Sequence, residues 1–165
     1  MADSADKSTR LPGSNPNLER PSVSESDAIT QILNSSKTIA VVGLSSQRTR
    51  PSNGVAQYLQ TAGYRIIPVN PNETEVLGEK SYIRLLEVPV PVDVVDIFRR
   101  SVFVPEIVEA AIQVGARCVW MQEGVIHPEA AERAKRAGLF VIMNSCILKE
   151  HSRRARELRQ STKSF

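Results

Sequence analysis

The chain has 165 residues, 41% of them hydrophobic and 5% aromatic, which suits one soluble domain with an aliphatic core. No window approaches the roughly 18 to 20 apolar residues that a membrane-spanning helix needs, and the acidic start lacks the apolar core of a secretory signal. Two cysteines are too few for a disulfide framework. We therefore expect a cytoplasmic protein without a membrane partner. The net charge of +3 is concentrated in residues 149–165, which carry four more positive than negative charges without interleaved aromatics, so we expect no nucleic-acid partner.

Composition divides the chain into three parts. Residues 1–26 are rich in Ser, Pro, Asn and charge, which is typical of a disordered tail. Residues 27–151 carry the periodic apolar pattern of one domain, and residues 152–165 form a basic tail or a solvated terminal helix. We expect Ser26 or Asp27 to cap a short first helix with Ile29, Ile32 and Leu33 on one face.

The stretch K-T-I-A-V-V-G-L-S-S-Q-R-T-R-P-S organises the domain. Its apolar run predicts a buried strand over residues 38–42, Gly43 ends the strand in a sharp turn, and Pro51 suits the first position of a helix. Strand, glycine turn and helix N-terminus together favour an anion site, because unpaired backbone N–H groups and the helix dipole point at the loop. Side chains that extend this phosphate site belong to Ser45, Ser46, Arg48, Arg50 and Ser52.

The remaining chain alternates strands and helices. The patterns predict strands over residues 64–69, 92–98, 117–121 and 139–143, and helices over residues 80–86, 104–114 and 129–137. Such alternation indicates an α/β fold, a single doubly wound, Rossmann-like parallel sheet of about five strands with flanking helices. Ligands of these sheets bind beyond the carboxyl ends of the strands.

Several titratable residues are given structural rather than catalytic roles. Asp93 and Asp96 lie three apart on a predicted strand and therefore face opposite sides, which argues against a catalytic pair. We expect Asp93 near the strand's start and Asp96 bonded to neighbouring loop donors. Cys118 is expected to be an inert core thiol and His127 a helix-entry residue, whereas the pattern indicates no partner for His151.

The glycine pattern disfavours two common nucleotide sites. The fingerprint G-x-G-x-x-G is absent, and Asn70 stands where the second strand would end in a ribose-binding acid, so NAD is disfavoured without being excluded. No G-K-S/T follows Gly43, so the sequence lacks a P-loop.

Many ordered motifs, however, resemble one known family. K-T-I-A-V-V-G-L-S, R-P-S, G-Y-R-I-I-P-V-N-P, L-G-E-K, V-D-V-V-D-I-F-R-R-S, E-A-A-I-Q-V-G-A, W-M-Q-E-G-V and M-N-S-C are similar, over residues 37–151, to the small stand-alone CoA-binding proteins. Their domain is similar to the N-terminal CoA-binding domain of the succinyl-CoA synthetase alpha subunit. The chain departs from the family at Asn53-Gly54, at Asn144-Ser145 and at Glu123.

The resemblance implies that coenzyme A or an acyl-CoA is the ligand of residues 27–151, and it implies a place for each part of that ligand. The phosphates would lie on Gly43, Leu44, Ser45, Ser46 and Arg50; the nucleotide end on Val69, Asn70 and Pro71; the pantetheine arm along Phe98, Arg99, Gln122, Glu123 and Gly124; and the thiol near Cys146.

We expect binding without catalysis, because no Ser–His–Asp set, metal cluster or acid–base pair assembles at the strand ends, and because the synthetase's phosphohistidine and nucleotide machinery lie in domains that this chain lacks. Two alternatives stay open: an NAD(P)-binding oxidoreductase, and a protein-interaction subunit with a vestigial nucleotide site.

Overall fold

A computed structural model describes residues 23–161, and its centre is a five-stranded parallel sheet. The sheet strands are β1 (Thr38–Val42), β2 (Arg65–Val69), β5 (Val94–Ile97), β6 (Cys118–Met121) and β7 (Phe140–Ile142). They lie in the order β2-β1-β5-β6-β7, and every neighbouring pair is parallel. The predicted doubly wound α/β sheet is therefore confirmed, with strand bounds within two residues of those expected.

In the described part of the chain, five α-helices cover the two faces of this sheet. They are α1 (Glu25–Ser35), α2 (Pro51–Thr61), α3 (Val104–Gln113), α4 (Pro128–Arg136) and α5 (Ile147–Ser161). Pro51 begins α2 as predicted, and the His127 imidazole caps α4 by accepting a hydrogen bond from the Ala130 N–H. The expected cap of α1 was wrong. Ser24 holds that position and accepts from the Asp27 N–H, so the helix starts before the anticipated boundary at residue 26.

Alternate residues of each buried strand send their side chains to opposite faces, which produces two apolar layers. One layer contains Ala40, Val95 and Val119 and packs under α3 and α4. The other contains Val41, Trp120 and residues of α1, α2 and α5. Cys118 lies in this second layer with no exposed surface, in agreement with its predicted role as a core thiol.

The predicted helix over residues 80–86 is wrong. The chain instead forms a two-stranded hairpin, β3 (Glu75–Val76) and β4 (Glu79–Lys80), followed by a 3-10 turn at Leu85–Glu87. Tyr82 explains the difference: its N–H donates to the Pro68 carbonyl and its carbonyl accepts from the Asn70 N–H, so the segment pairs with the outer edge of β2. A tertiary contact has overridden the local pattern.

Helix α5 joins the end of the described chain to its beginning. The Arg154 guanidinium donates to the hydroxyls of Ser26 and Thr30 on α1 and is also paired with Glu150. Leu158 is buried in the same layer as Trp120, so this part of the predicted basic tail is a packed helix rather than a fully solvated one. The domain boundary at residue 151 stays a prediction, and the predicted disorder of residues 1–22 lies outside the described residues. Among residues 23–161 there is no helix of the length and apolar character needed to cross a bilayer.

Candidate functional site

A cleft of about 760 Å³ opens beyond the carboxyl ends of β1, β2, β5 and β6. This is the edge at which open parallel sheets bind their ligands. One wall is the loop that joins β1 to α2, and the opposite wall is the turn that follows β6. The cleft therefore spans the strand-loop-helix unit that the sequence singled out and the turn at Gln122, Glu123 and Gly124.

Gly43 makes the sharp turn between the first strand and the loop. Its φ is +89°, and a Cβ at this position would lie 2.5 Å from the Phe98 backbone oxygen. No side chain fits in that space, and L residues rarely adopt such a φ. Glycine is therefore required here so that the loop can pass close to the end of β5.

The loop itself is ordered by its own polar groups. The Ser45 N–H donates to the Ser52 hydroxyl at 3.1 Å, and the Asn53 side chain donates to the Ser45 carbonyl at 2.9 Å. Ser52 and Asn53 are each only 4% exposed. Asn53-Gly54, one of the departures from the family pattern, thus contributes a buried amide that holds the loop against α2.

Glu73 occupies donors that the sequence assigned to a phosphate. Its Oε1 accepts from the Ser46 N–H at 3.0 Å and from the Ser46 hydroxyl at 2.9 Å. A carboxylate is an anionic acceptor, so it satisfies this part of the loop in the way a phosphate oxygen would. An anionic ligand that uses Ser46 must displace Glu73, and sequence reasoning missed this residue.

Three arginines give the cleft a positive lining. Arg50 stands at the start of α2, where its Nε lies 3.5 Å from the Gln47 side-chain oxygen. Arg99 and Arg100 follow β5 and place their guanidinium groups 4.4 and 5.5 Å from the centre of the Phe103 ring. None of the three takes part in the ion pairs recorded for residues 23–161, so their charge is available to an anion.

A buried carboxyl lies below the other wall. Asp96 is fully buried in the middle of β5, and its Oδ1 accepts from the Gln122 Nε2 at 2.6 Å. Its Oδ2 has no hydrogen-bond partner among residues 23–161. Burial raises the pKa of Asp96 to about 7, and the hydrogen bond from Gln122 lowers it by a smaller amount. The expectation that Asp96 bonds a neighbouring loop donor is therefore confirmed, because Gln122 is the first residue after β6.

Asp93, by contrast, lies at the amino end of the same strand. Its Oδ2 accepts from the Lys37 N–H at 2.8 Å and from the Thr38 N–H at 3.0 Å, which ties the starts of β1 and β5 together. Asp93 is thus near the start of the strand, as predicted, and the two aspartates have different hydrogen-bond partners.

The turn after β6 is held by residues that follow β7. The Asn144 side chain, on a residue with φ of +56°, accepts from the Gly124 N–H at 2.8 Å. The Trp120 indole donates to the Ser145 carbonyl at 2.9 Å, and Glu123 is paired with Lys149 of α5 at 2.6 Å. Asn144-Ser145 and Glu123, the two remaining family departures, therefore stabilise one wall of the cleft.

The structure brings most of the predicted site residues into the cleft. Those that line it are Gly43, Ser45, Arg50, Ser52, Asn70, Phe98, Arg99, Gln122, Glu123, Gly124 and Cys146. Leu44 is fully buried and only its carbonyl is used, accepting from the Asn70 side chain. Ser46 faces Glu73, and the exposed Arg48 does not line the cleft. Ligand contact stays a prediction for all of these residues.

Val69 and Pro71 line a second, more apolar cleft of about 310 Å³ on the α3 side of Gly43. Gly43 and Arg99 contribute to both clefts, so the two spaces adjoin at the end of β1. The residues predicted for the nucleotide end are therefore divided between the two clefts, with Asn70 in the first and Val69 and Pro71 in the second.

Sequence reasoning missed further residues that line the cleft. A signal existed for Gln47, Asn72 and Arg100, because they are neighbours of the predicted residues Ser45, Asn70 and Arg99 in the same loops. Glu73 had no such signal, because nothing in the local sequence shows that its side chain turns back to Ser46.

His151 has a partner that the sequence did not indicate. At the opposite edge of the sheet its Nδ1 lies 2.9 Å from the Tyr58 hydroxyl, and its ring also packs edge-on against Tyr64. Burial, with a smaller effect from Arg159, lowers the pKa of His151. This cluster borders a separate cleft of about 550 Å³ and contributes nothing to the one at the carboxyl ends.

Comparison with known proteins gives consistent matches. A family model described as a CoA binding domain matches residues 37–152. The uncharacterized protein YneT of Bacillus subtilis is 42% identical over 135 residues, which cover 82% of this chain and 98% of YneT. The solved structure of a hypothetical protein from Pyrococcus horikoshii OT3 has 38% identity and a TM-score of 0.77, covering 87% of this chain and 98% of that one.

Part of a larger protein is also similar to this chain. The ADP-forming acetate–CoA ligase I of Archaeoglobus fulgidus is 26% identical over 121 residues, which cover 67% of this chain but only 18% of the ligase. The chain is thus similar to one segment of that enzyme.

Proposed function

The chain belongs to the CoA binding domain family, and from that premise we propose that it binds coenzyme A or an acyl-CoA in the cleft at the carboxyl ends of β1, β2, β5 and β6, without catalysing a reaction of its own. The observation that carries the proposal is the convergence of Arg50, Arg99 and Arg100 on this cleft with no carboxylate paired to any of them among the described residues. Guanidinium groups bind phosphate oxygens through charge-assisted, often paired hydrogen bonds.

The ligand's direction follows from where these charges lie. The phosphates rest on the loop and the start of α2, where Arg50 and the helix dipole both favour an anion. The pantetheine arm then crosses Phe98 and the Gln122 turn, and the thiol ends near Cys146 at the start of α5. We place the adenosine in the adjoining apolar cleft lined by Val69 and Pro71.

One titration panel tests the proposal. Calorimetry with CoA, acetyl-CoA, dephospho-CoA, NADH and NADPH is expected to show binding of the CoA ligands and none of NADH or NADPH. Binding of either dinucleotide with CoA silent would overturn the proposal, and the absence of binding for every ligand would favour a protein-interaction subunit with a vestigial site.

The second candidate is an NAD(H) site, and Glu73 is the observation that favours it. An acid near the end of β2 is what a Rossmann-type site uses to bind the ribose diol, and Glu73 turns back to Ser46 beside the loop. The panel separates the candidates, because a diol-binding acid favours NADH and dephospho-CoA over their phosphorylated counterparts.

The proposed direction of the ligand has its own test at Cys146. Incubation with CoA disulfide is expected to join Cys146 to CoA: the Cys146 thiolate attacks the disulfide, a mixed disulfide forms and one CoA thiolate leaves. Intact-mass and peptide mass spectrometry before and after reduction locate the adduct. Cys118, which has no exposed surface, is the internal control. Labelling of Cys118, or a Cys146 rate no greater than with a small disulfide lacking the nucleotide, would contradict this direction.

A further inference from the structure

Gln122 separates the buried Asp96 carboxyl from the cleft. The Gln122 side chain is 4% exposed, lines the cleft and directs its Nε2 at Asp96 Oδ1, 2.6 Å away. Its Oε1 accepts no hydrogen bond from the described residues, and this oxygen is not fully buried. The amide oxygen is therefore the atom left to face a ligand when Nε2 faces Asp96.

This orientation of the amide belongs to one protonation state of the carboxyl. An ionised carboxylate only accepts hydrogen bonds, so Asp96 in that state requires the Nε2 of Gln122. A neutral carboxyl in the same orientation would carry its proton on Oδ2, where no acceptor lies among the described residues. A proton on Oδ1 can instead be donated to the Gln122 Oε1 once the amide has turned. Because the two ends of a glutamine amide have nearly the same shape, a half-turn of the amide exchanges them without repacking.

We propose that Asp96 is a positioning residue whose ionisation directs the Gln122 amide oxygen into the cleft, so that the cleft accepts a hydrogen bond from an amide N–H of the ligand only when Asp96 is charged. The inference rests on the proposed function, because it concerns how the same cleft holds a CoA-type ligand, whose pantetheine arm carries two such N–H groups. A pKa raised to about 7 by burial means that both states are populated at neutral pH.

Burial and the Gln122 hydrogen bond are the causes of the shifted pKa of Asp96, and its neighbours across the sheet are uncharged. On β1 the register partner of Asp96 is Val41, and on β6 it is Trp120. The titratable group acting with it is Cys118, whose pKa is raised by burial and, to a smaller extent, by the charge of Asp96, with Arg117 opposing. At the start of α5, Lys149 is paired with Glu123 of the Gln122 turn, and Arg153 and Arg154 are paired with Glu150.

The unpaired Oδ2 makes the ionisation of Asp96 sensitive to ligand binding. A buried carboxylate oxygen without a donor makes the charged state expensive, and ionisation of Asp96 therefore needs help from whatever stabilises the outward-facing Gln122 oxygen. A ligand N–H at Oε1 supplies that help. Binding and deprotonation are linked, and each favours the other.

The size of the effect follows from the fraction of protein that is ready to bind. With a pKa of about 7, about nine-tenths of the molecules are ionised at pH 8 and about one-tenth at pH 6. Since apparent affinity scales with the competent fraction, it should be about tenfold weaker at pH 6 than at pH 8.

The experiment uses dephospho-CoA, which lacks the 3′-phosphate monoester that itself titrates near pH 6. Its affinity for the full chain and for Asp96→Asn is measured at pH 6, 7 and 8. The wild type should lose affinity about tenfold across this range and Asp96→Asn less than twofold, while Asp93→Asn, at the other end of the strand, should keep the tenfold change. An unchanged pH profile in Asp96→Asn, or a wild-type affinity that is flat or rises toward pH 6, would overturn the inference.

A ligand-free readout separates this inference from the proposed function. Trp120 is the chain's only tryptophan and the cross-strand neighbour of Asp96, so its fluorescence should titrate near pH 7 in the wild type and not in Asp96→Asn. Gln122→Met should still show a Trp120 titration, shifted to higher pH because the hydrogen bond that lowers the Asp96 pKa is lost, but it should lose the pH dependence of affinity. This variant covers the case that Asp96→Asn fails to fold. A Trp120 titration with a pH-independent affinity would overturn the inference and leave CoA binding intact, whereas no binding at any pH would overturn the proposed function and the inference with it.

Discussion

The two walls of the cleft hold their polar groups in opposite ways. On the loop wall, Ser46 gives its backbone and side-chain donors to Glu73, and the Ser45 N–H is bonded to Ser52. On the opposite wall, one carboxylate oxygen of Asp96 has no partner in the part of the chain that the structure describes. The polar groups of the loop wall thus have hydrogen-bond partners before a ligand binds, whereas one polar atom of the opposite wall has none among the described residues.

This difference decides what a ligand does at each wall. At the loop it exchanges one anionic partner for another, so the net gain is a small difference between two charge-assisted hydrogen bonds. At Asp96 it acts through a proton, because the buried carboxyl changes charge instead of changing partners. Affinity should therefore respond to mutation at one wall and to pH at the other.

The strongest way to test this contrast is the stability of Asp96→Asn against pH. The folded pKa of Asp96, about 7, lies above the unfolded value of 3.8. Its contribution to stability is therefore fully present below pH 3.8 and is lost as the pH rises to about 7. Relative to the wild type, Asp96→Asn should gain about 3 kcal/mol of unfolding free energy between pH 5 and pH 8, measured by urea denaturation. A constant difference between the two proteins would show that Asp96 does not titrate in this range.

The fold could largely be predicted because its signals are local. Short apolar runs predict the strands. The backbone properties of Gly43 and Pro51 predict the turn and the start of α2. The hairpin at residues 75–80 could not be predicted, because it depends on Tyr82 pairing with the edge of β2.

The site divides in the same way. Its location at the strand ends and most of its lining follow from the strand pattern. The two contacts that set its chemistry do not, because Ser46 and Glu73 lie 27 residues apart and Asp96 and Gln122 lie 26 apart. Such pairs depend on strand register and side-chain rotamers, which no local pattern records.

The loop wall is broken most directly by Gly43→Ala. The new Cβ would meet the Phe98 backbone oxygen at 2.5 Å on a residue with φ of +89°, so we expect a loss of about 2 to 3 kcal/mol in chemical denaturation. Gly54→Ala is the matched control: it lies in α2 with nothing within 4 Å of its Cβ, and it should stabilise by about 0.5 to 1 kcal/mol. Equal effects of the two substitutions would mean that the turn tolerates a side chain.

The charge on the loop wall is tested by Arg50→Ala. Loss of one charge-assisted hydrogen bond to a phosphate should weaken CoA binding by about 1.5 to 3 kcal/mol in calorimetry. Arg48→Ala should have a smaller effect, because this side chain does not line the cleft. Repeating the titration with dephospho-CoA identifies the phosphate involved, since equal losses for both ligands rule out the 3′-phosphate.

The smallest expected change is at Glu73→Gln. Removing the internal anion from Ser46 should tighten CoA binding about fivefold, or about 1 kcal/mol, because the ligand no longer displaces a carboxylate. Glu75→Gln, an exposed acid outside the cleft, should leave the affinity unchanged. Weaker binding by Glu73→Gln, above all of NADH, would instead identify Glu73 as a ribose acceptor.

The contact of α5 with α1 has a consequence for synthesis on the ribosome. The layer under α3 and α4 has all its strands and helices once residue 142 has emerged from the exit tunnel. The layer that contains Trp120 is complete only after Ile147 and Leu158 of α5 have also emerged. Until then Ile29 and Leu33 of α1, although among the first described residues to be made, lack part of their cover. One face of the nascent sheet is thus covered by its helices while apolar residues of the other face are still exposed. A chaperone has time to bind at that exposed face.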